Sequence, residues 1–375
     1  MLKQLVKRAE MIRAIREFFY NNGYLEVETP LRVPNPIPEE HIEPFESEGW
    51  YLQSSPEICM KRLAAQGYGK IFQICKCFRK DERGDRHLTE LTMVEWYRKD
   101  YSYIELMQEC KEMIRYVARK LLVSPVASPP DPSPVERGNN YSLPLGRAEE
   151  GQNSYLESYV EQIKPENVDE LKKELFIEYG NHTISINSPW QYITVSEAFE
   201  KYGSMTMEEA EKRGSFDEIM SFEIEPNLGL EVPTFIYDYP SSMASLAKLK
   251  SNNINLDKNE NGSLNSNNIN FNKDNNLLPE KKSLAERFEL YIAGIELANG
   301  FSELNDPVEQ RERLLKVIKN RAKDKKNMEL PEKFLQDLAK LPKTAGIALG
   351  VDRLAMVFTN SSSIDDVVAF TSEEL

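Results

Sequence analysis

The sequence predicts an α+β fold, and three stretches carry that prediction. Two strand-like segments with period-two alternation, at 71–79 and 88–98, flank a highly charged loop that runs from Phe78 to His87 (FRKDERGDRH). A second strand-like run, Ala285 to Asp306, holds Glu289, Glu296, Asn299 and Glu303 among apolar residues. The third, Gly346 to Phe358, is a glycine-flanked strand entering an apolar helix with Arg353 in its first turn.

Taken in chain order, helical spacing of Leu5, Ala9, Ile12, Ile15 and Phe19 predicts a helix over 4–21, with Gly23 near its end. Strands follow at 24–29 and 51–53, then a helix over 56–66 with Pro56 in its first turn. After the alternating pair, a helix over 102–122 is stopped by a proline-rich linker at 123–136. Residues 136–232 read as a polar, partly helical insertion with a helix start at Thr206, and 233–240 return to strand. Between Ser251 and Asn276, twelve of 26 residues are asparagine, so 251–282 read as a disordered, low-complexity insertion.

Alternation assigns faces. Gln73, Cys75, Cys77 and Arg79 share one side of the first strand, with Phe72, Ile74 and Phe78 on the other; Glu95 and Tyr97 join Leu91 and Met93 on one side of the second. A mixed face of this kind is a binding face. Carboxylates leave water at high cost unless a cation or donors meet them, so the several in 285–306 imply a cationic ligand. Glu289 and Glu296 are an odd number of residues apart, so sharing a metal requires a bulge, for which Gly294 is the expected place. An arginine beside a helix N-terminus suits a phosphate or a purine face. Each stretch alone also fits plain structure: a solvated hairpin loop, two carboxylates on an edge strand, glycines that serve packing.

The chain has 375 residues, a formal net charge of −14 and a pI near 5.0, a balance that argues against nucleic-acid binding. Its four cysteines form no CxxC pair, and His41, His87 and His182 lack metal-ligand spacing; reduced thiols in a cytoplasmic enzyme without zinc are expected. The start, MLKQLVKRAEMIRAI, is amphipathic rather than a signal sequence, and no membrane span is expected.

Together and in this order, the segments resemble the catalytic domain of class II aminoacyl-tRNA synthetases, in the lysyl branch. Leu5 to Pro30 is similar to motif 1, FRKDERGDRHLTELTMVEWY to motif 2 and GIALGVDRLAMVF to motif 3. SSPE at 54–57, MKRL at 60–63 and ELANGFSEL at 296–304 resemble, more narrowly, the elongation factor P lysine ligases, truncated paralogues of lysyl-tRNA synthetase. The resemblance covers the chain apart from one insertion. It implies a single domain over 1–375, an antiparallel sheet flanked by helices, and no N-terminal anticodon-binding barrel.

That resemblance implies ATP-dependent activation of lysine or (R)-β-lysine as an adenylate and transfer to a lysine side chain of elongation factor P. It also implies a homodimer and no stable tRNA binding. A lysyl-tRNA synthetase lacking its anticodon module and a catalytically silent regulator stand as alternatives. Arg79 would hold the α-phosphate and substrate carboxylate, Asn299 would assist the carboxylate, and Arg353 would reach the γ-phosphate and adenine. Lys80, Asp81, Glu82, His87, Leu88, Leu297 and Gly350 would complete the ATP site, and Glu289 with Glu296 would hold Mg2+. Ser55, Pro56, Glu57, Glu95, Tyr97 and Glu303 would surround the amino acid, Glu57 meeting the near amino group and Glu303 with Tyr97 the distal ammonium. Asp81, Leu88 and Leu91 depart from the motif 2 pattern. Ala348 stands where lysyl-tRNA synthetases usually have glycine, and it favours the β-lysine branch.

Overall fold

A computed structural model describes residues 2–40, 42–123, 174–250, 254–258, 264–271, 283–321 and 328–375. Its central sheet has eight strands: β1 (Leu25–Glu26), β2 (Lys70–Phe78), β3 (Glu90–Lys99), β4 (Gln191–Thr194), β5 (Thr234–Pro240), β6 (Leu284–Ile292), β7 (Ile295–Ser302) and β8 (Thr344–Gly350). They lie in the order β1-β2-β3-β8-β7-β6-β5-β4. The inner pairings are antiparallel, and only the outermost pairs, β1 with β2 and β4 with β5, are parallel.

One face of this sheet is apolar because alternate residues on each strand are. Phe72, Val94, Trp96, Ile347 and Leu349 are buried beneath three helices, α1 (Leu2–Asn21), α3 (Tyr103–Leu122) and α4 (Val351–Thr359); α2 (Glu57–Ala65) lies on the opposite face, where Met60 meets Ile71 and Tyr97. α3 buries Leu106, Met107, Cys110, Met113, Ile114, Val117 and Leu121, a stripe at three- and four-residue spacing. Its start is fixed by a capping box in which Ser102 Oγ accepts from the Ile104 amide and Glu105 accepts from the Ser102 amide. In α1 the stripe is Met11, Ala14, Ile15, Phe18 and Phe19, rotated from the expected one, and Ala9 is exposed. Phe19, common to both stripes, stacks on Phe72 with centroids 4.6 Å apart.

The stretch 285–306 is a hairpin rather than one strand. Its two-residue turn, Ala293 and Gly294, has φ of 55° and 68°, the positive pair that a type I′ connection requires. The register does shift, but between Leu290 and Tyr291 on β6: Leu290 faces Ala298 while Tyr291 faces Glu296, which leaves Leu297 as the extra residue. The expected bulge exists, three residues beyond the expected glycine.

Residues 174–232 also differ from the insertion expected there. They supply edge strand β4, a hairpin (Phe176–Tyr179 with His182–Ser185) and the helices Val195–Tyr202 and Met207–Arg213, which form a second core with Tyr239 and Tyr291. Thr206 caps the second of these helices by accepting from the Glu209 amide. In the asparagine-rich segment, Ile254–Lys258 and Leu264–Phe271 pair as antiparallel strands, where disorder is expected from composition. The remainder of 251–282 and the linker beyond Val123 lie outside the described residues.

Candidate active site

Opposite the helical core, the sheet floors a cleft of about 630 Å³, a volume suited to a nucleotide-sized ligand. Register places its floor. Tyr97, Glu95 and Met93 on β3 face Gly346, Ala348 and Gly350 on β8, and Ala348 faces Asn299 on β7, so these side-chain positions share one surface. Arg79, Glu289, Glu296 and Arg353 line the same cleft. The distant stretches therefore meet around one space.

At one end lies a buried acidic group. Glu95 accepts from Ser55 Oγ at 2.6 Å and from the Tyr97 hydroxyl at 3.1 Å. Burial, and then the Glu57 charge, push its carboxyl up to about 8. Glu57 lines the cleft from the first turn of α2, one helical turn before Lys61, whose Nζ is 2.5 Å from Glu57 Oε1. The same ammonium is 2.5 Å from Glu303 Oε2. Glu303, expected from sequence to receive the distal ammonium, does not line the cleft; it packs against Gly346, with Oε2 engaged by Lys61. Burial pushes it up to about 8, with Lys61 opposing and Glu57 adding to the rise. Pro56 also lies outside the main cleft, lining a smaller cavity beside Ser54 and Ser55.

The other end is built by the charged loop and α4. Arg79 faces Glu82 at 3.5 Å. Arg353 donates to the Glu296 carbonyl at 2.9 Å and its carboxylate at 3.1 Å, and lies 2.5 Å from His87 Nε2. Burial and the Arg353 charge lower the His87 pKa, so the neutral ring accepts from the guanidinium. Glu82, His87, Leu88, Leu297 and Gly350 line the cleft, whereas Lys80 and Asp81 do not. Their backbone explains this: the Lys80 amide pairs with Glu43, and Asp81 turns the chain at φ 65°.

Glu289 accepts from Arg287 at 2.6 Å, Tyr291 at 2.8 Å and Asn299 Nδ2 at 3.1 Å, and burial followed by the Glu296 charge raises its pKa. Because of the bulge, Glu289, Tyr291, Glu296 and Asn299 share a face. Glu289 and Glu296 line one cleft, the Glu296 charge adding to the rise at Glu289, and such a carboxylate pair fits a hard divalent cation completed by ligand oxygens. Among the described residues, no group of three or more His, Cys, Asp or Glu side chains is placed to hold a metal alone.

Several residues escape the sequence-based set. Lys61 is signalled only by its i,i+4 relation to Glu57. Glu39, from a loop, and Glu225, from a short 3₁₀ turn (Glu225–Asn227), are pushed up to about 7 mainly by burial, and neither sits in a periodic run. Asp352 is buried under the floor, where Oδ2 accepts from the Thr92 amide at 2.6 Å and Oδ1 pairs with Arg8 at 2.6 Å, joining α1 to α4.

The fold and this cleft define an amino-acid-activating class of enzyme, and the family comparison agrees: residues 1–374 match the model of class II tRNA synthetases (D, K and N), and the chain belongs to that family. Within it, the chain is 32% identical over 383 residues to the elongation factor P–(R)-β-lysine ligase of Pectobacterium carotovorum, covering 98% of this chain and 95% of the relative. It is 33% identical over 384 residues to the Salmonella gallinarum protein of the same name, with 99% and 95% covered. No helix among the described residues is long and apolar enough to cross a membrane.

Proposed function

We propose that the chain condenses (R)-β-lysine, or lysine, with ATP to an aminoacyl-adenylate with release of pyrophosphate, and passes the acyl group to a lysine side chain of elongation factor P with release of AMP. The observation that carries this reading is the meeting of two unlike ends in one cleft: Glu57, Glu95 and Tyr97 at one, Arg79, Glu289, Glu296 and Arg353 at the other. A ligand with two ammonium groups matches the first. A polyphosphate matches the second.

In this reading Arg79 orients the amino acid carboxylate and the α-phosphate for in-line attack, and Asn299 supports the carboxylate with its amide. Arg353 exchanges its contacts with Glu296 and His87 for the γ-phosphate and the adenine face. No protein nucleophile is required, because alignment and charge stabilisation lower the barrier. Glu289 and Glu296 would hold Mg2+, which supplies charge neutralisation at the phosphates. Ala348, beside Glu95 and Asn299, narrows the pocket by one methyl and favours the shifted amino group of a β-amino acid. A homodimer through the α1 region is part of the proposal, supported by exposed Tyr20 near the end of α1 and exposed Leu25 on the edge strand β1.

Pyrophosphate exchange with α-lysine and (R)-β-lysine, followed by transfer to elongation factor P or to tRNA, tests the reading. Exchange with β-lysine and labelling of the factor are expected. Charging of tRNA would replace the reading by a synthetase, and no exchange with either amino acid would replace it by a regulator. Light scattering at micromolar concentration should give a dimer mass.

A further inference from the structure

The chemistry above leaves Lys61 unused, although its side chain is only 1% exposed and its ammonium touches two carboxylates. A buried ammonium persists only where partners surround it. Those facing it come from three elements: Glu57 on its own helix, Glu303 after β7, and, through its charge, Glu95 on β3, while the Phe301 ring of β7 lies 5.0 Å away. Three carboxylates thus surround one resident cation. A ligand with two ammonium groups would make the charges equal.

The contacts are also selective by atom. Lys61 takes Glu57 Oε1 and Glu303 Oε2, and Glu303 Oε1 has no hydrogen-bond partner although it is buried. That free oxygen points at Gly346, where a Cβ would sit 2.4 Å from it and 2.4 Å from the Tyr97 ring. Gly346 lines the cleft, and only the absence of a side chain there lets Glu303 Oε1 and the Tyr97 ring pack so close beneath it.

We infer that Lys61 is a positioning residue that clamps Glu57 and Glu303 by one oxygen each and thereby fixes the spacing between the two ammonium-receiving sites. The inference rests on the diamino-acid reading above. Chain-length discrimination then comes from the clamp: a ligand whose amino groups are spaced differently from the two free carboxylate oxygens leaves one of them unpaired.

The test is pyrophosphate exchange by the full chain with (R)-β-lysine, α-lysine and ornithine, comparing wild type with Lys61→Met and Lys61→Arg at pH 7 and 9. For Lys61→Met we expect KM to rise at least about tenfold and the three KM values to converge within about threefold, with kcat changed less than about threefold. Part of the KM increase should reverse at pH 9, where a larger share of Glu303 is ionised than at pH 7. Lys61→Arg keeps a cation on a wider fork and should retain affinity while shifting the preferred chain length. KM values and ratios within about twofold of wild type, or a KM increase that preserves the ratios, would overturn the clamp. Should Lys61→Met fail to fold, Lys61→Arg decides: an unchanged order and ratio of KM values among the three ligands would overturn the clamp. Wild-type protein that exchanges with none of the three sinks the functional reading instead; calorimetric binding of the same ligands then decides the clamp on the same ratios.

Discussion

The two ends of the cleft are built differently. The amino-acid end rests on β3, β7, β8 and α2, where Glu95 and Glu303 are buried and most neighbours are held by strand register or by a helix turn. The nucleotide end rests on a loop pinned by partly exposed contacts: Arg83 with Asp365 at 2.9 Å and Glu373 at 3.0 Å, Arg86 with the Gly294 carbonyl at 3.1 Å, and the Asp85 carbonyl with the Ile364 amide at 2.8 Å. A buried, register-fixed end can discriminate shapes before the ligand arrives. A solvated loop end recognises a polyphosphate, whose charge is large enough to reorganise the side chains around it.

If that contrast holds, perturbations of the buried framework should exceed those of the loop. Arg8→Met removes the partner of buried Asp352 beneath the floor and should cost about 3–5 kcal/mol in denaturant unfolding; a loss below about 1 kcal/mol would show that the floor does not depend on this pair. Arg79→Ala should lower kcat of pyrophosphate exchange by about 10²- to 10³-fold, the usual loss for one charge-stabilising donor. Ala348→Gly should move the α- to β-lysine preference toward α-lysine by about 1–3 kcal/mol, read as a ratio of kcat/KM values.

A pH series sharpens the contrast further. Glu95 and Glu303 titrate near 8 in the folded protein against 4.5 as the ordinary value, so the folded state keeps protons that the unfolded state releases. Stability of the free protein should therefore be greatest near the ordinary carboxylate value and fall as pH rises toward 8, while KM for the diamino acid falls across pH 7 to 8 as the carboxylates ionise. Thermal melts with and without ligand measure both, and a flat KM would mean the carboxylates are already charged. Smallest of all, Arg83→Ala should change KM for ATP by less than about threefold, more at low salt than at high salt, because its partners are solvated.

Much of the site is written in local patterns. Period two alone places Glu95 and Tyr97 with Leu91 and Met93, and the glycine-flanked strand before Arg353 marks the strand-to-helix turn it forms. The hairpin in 285–306 escapes a residue-by-residue reading because Ile292 to Ile295 interrupts the apolar pattern by only two residues, one of them Ala293, which rarely adopts positive φ. The capture of Glu303 by Lys61 escapes for another reason: it joins residues far apart in the chain, and no local periodicity carries that pairing. Glu39 and Glu225 become unusual only through burial by segments that carry no regular pattern.

Leu297 has a consequence for how this chain can change in length. Register counts residues in pairs, and the one supernumerary residue between Glu296 and Ala298 is what lets Asn299 and Glu296 look the same way. Deleting a single residue there would restore a regular ladder and, in doing so, turn Glu296 or Asn299 into the apolar layer under the sheet. Loops that do not line the cleft can lengthen or shorten without touching the chemistry; at this position the chain tolerates replacement but not loss.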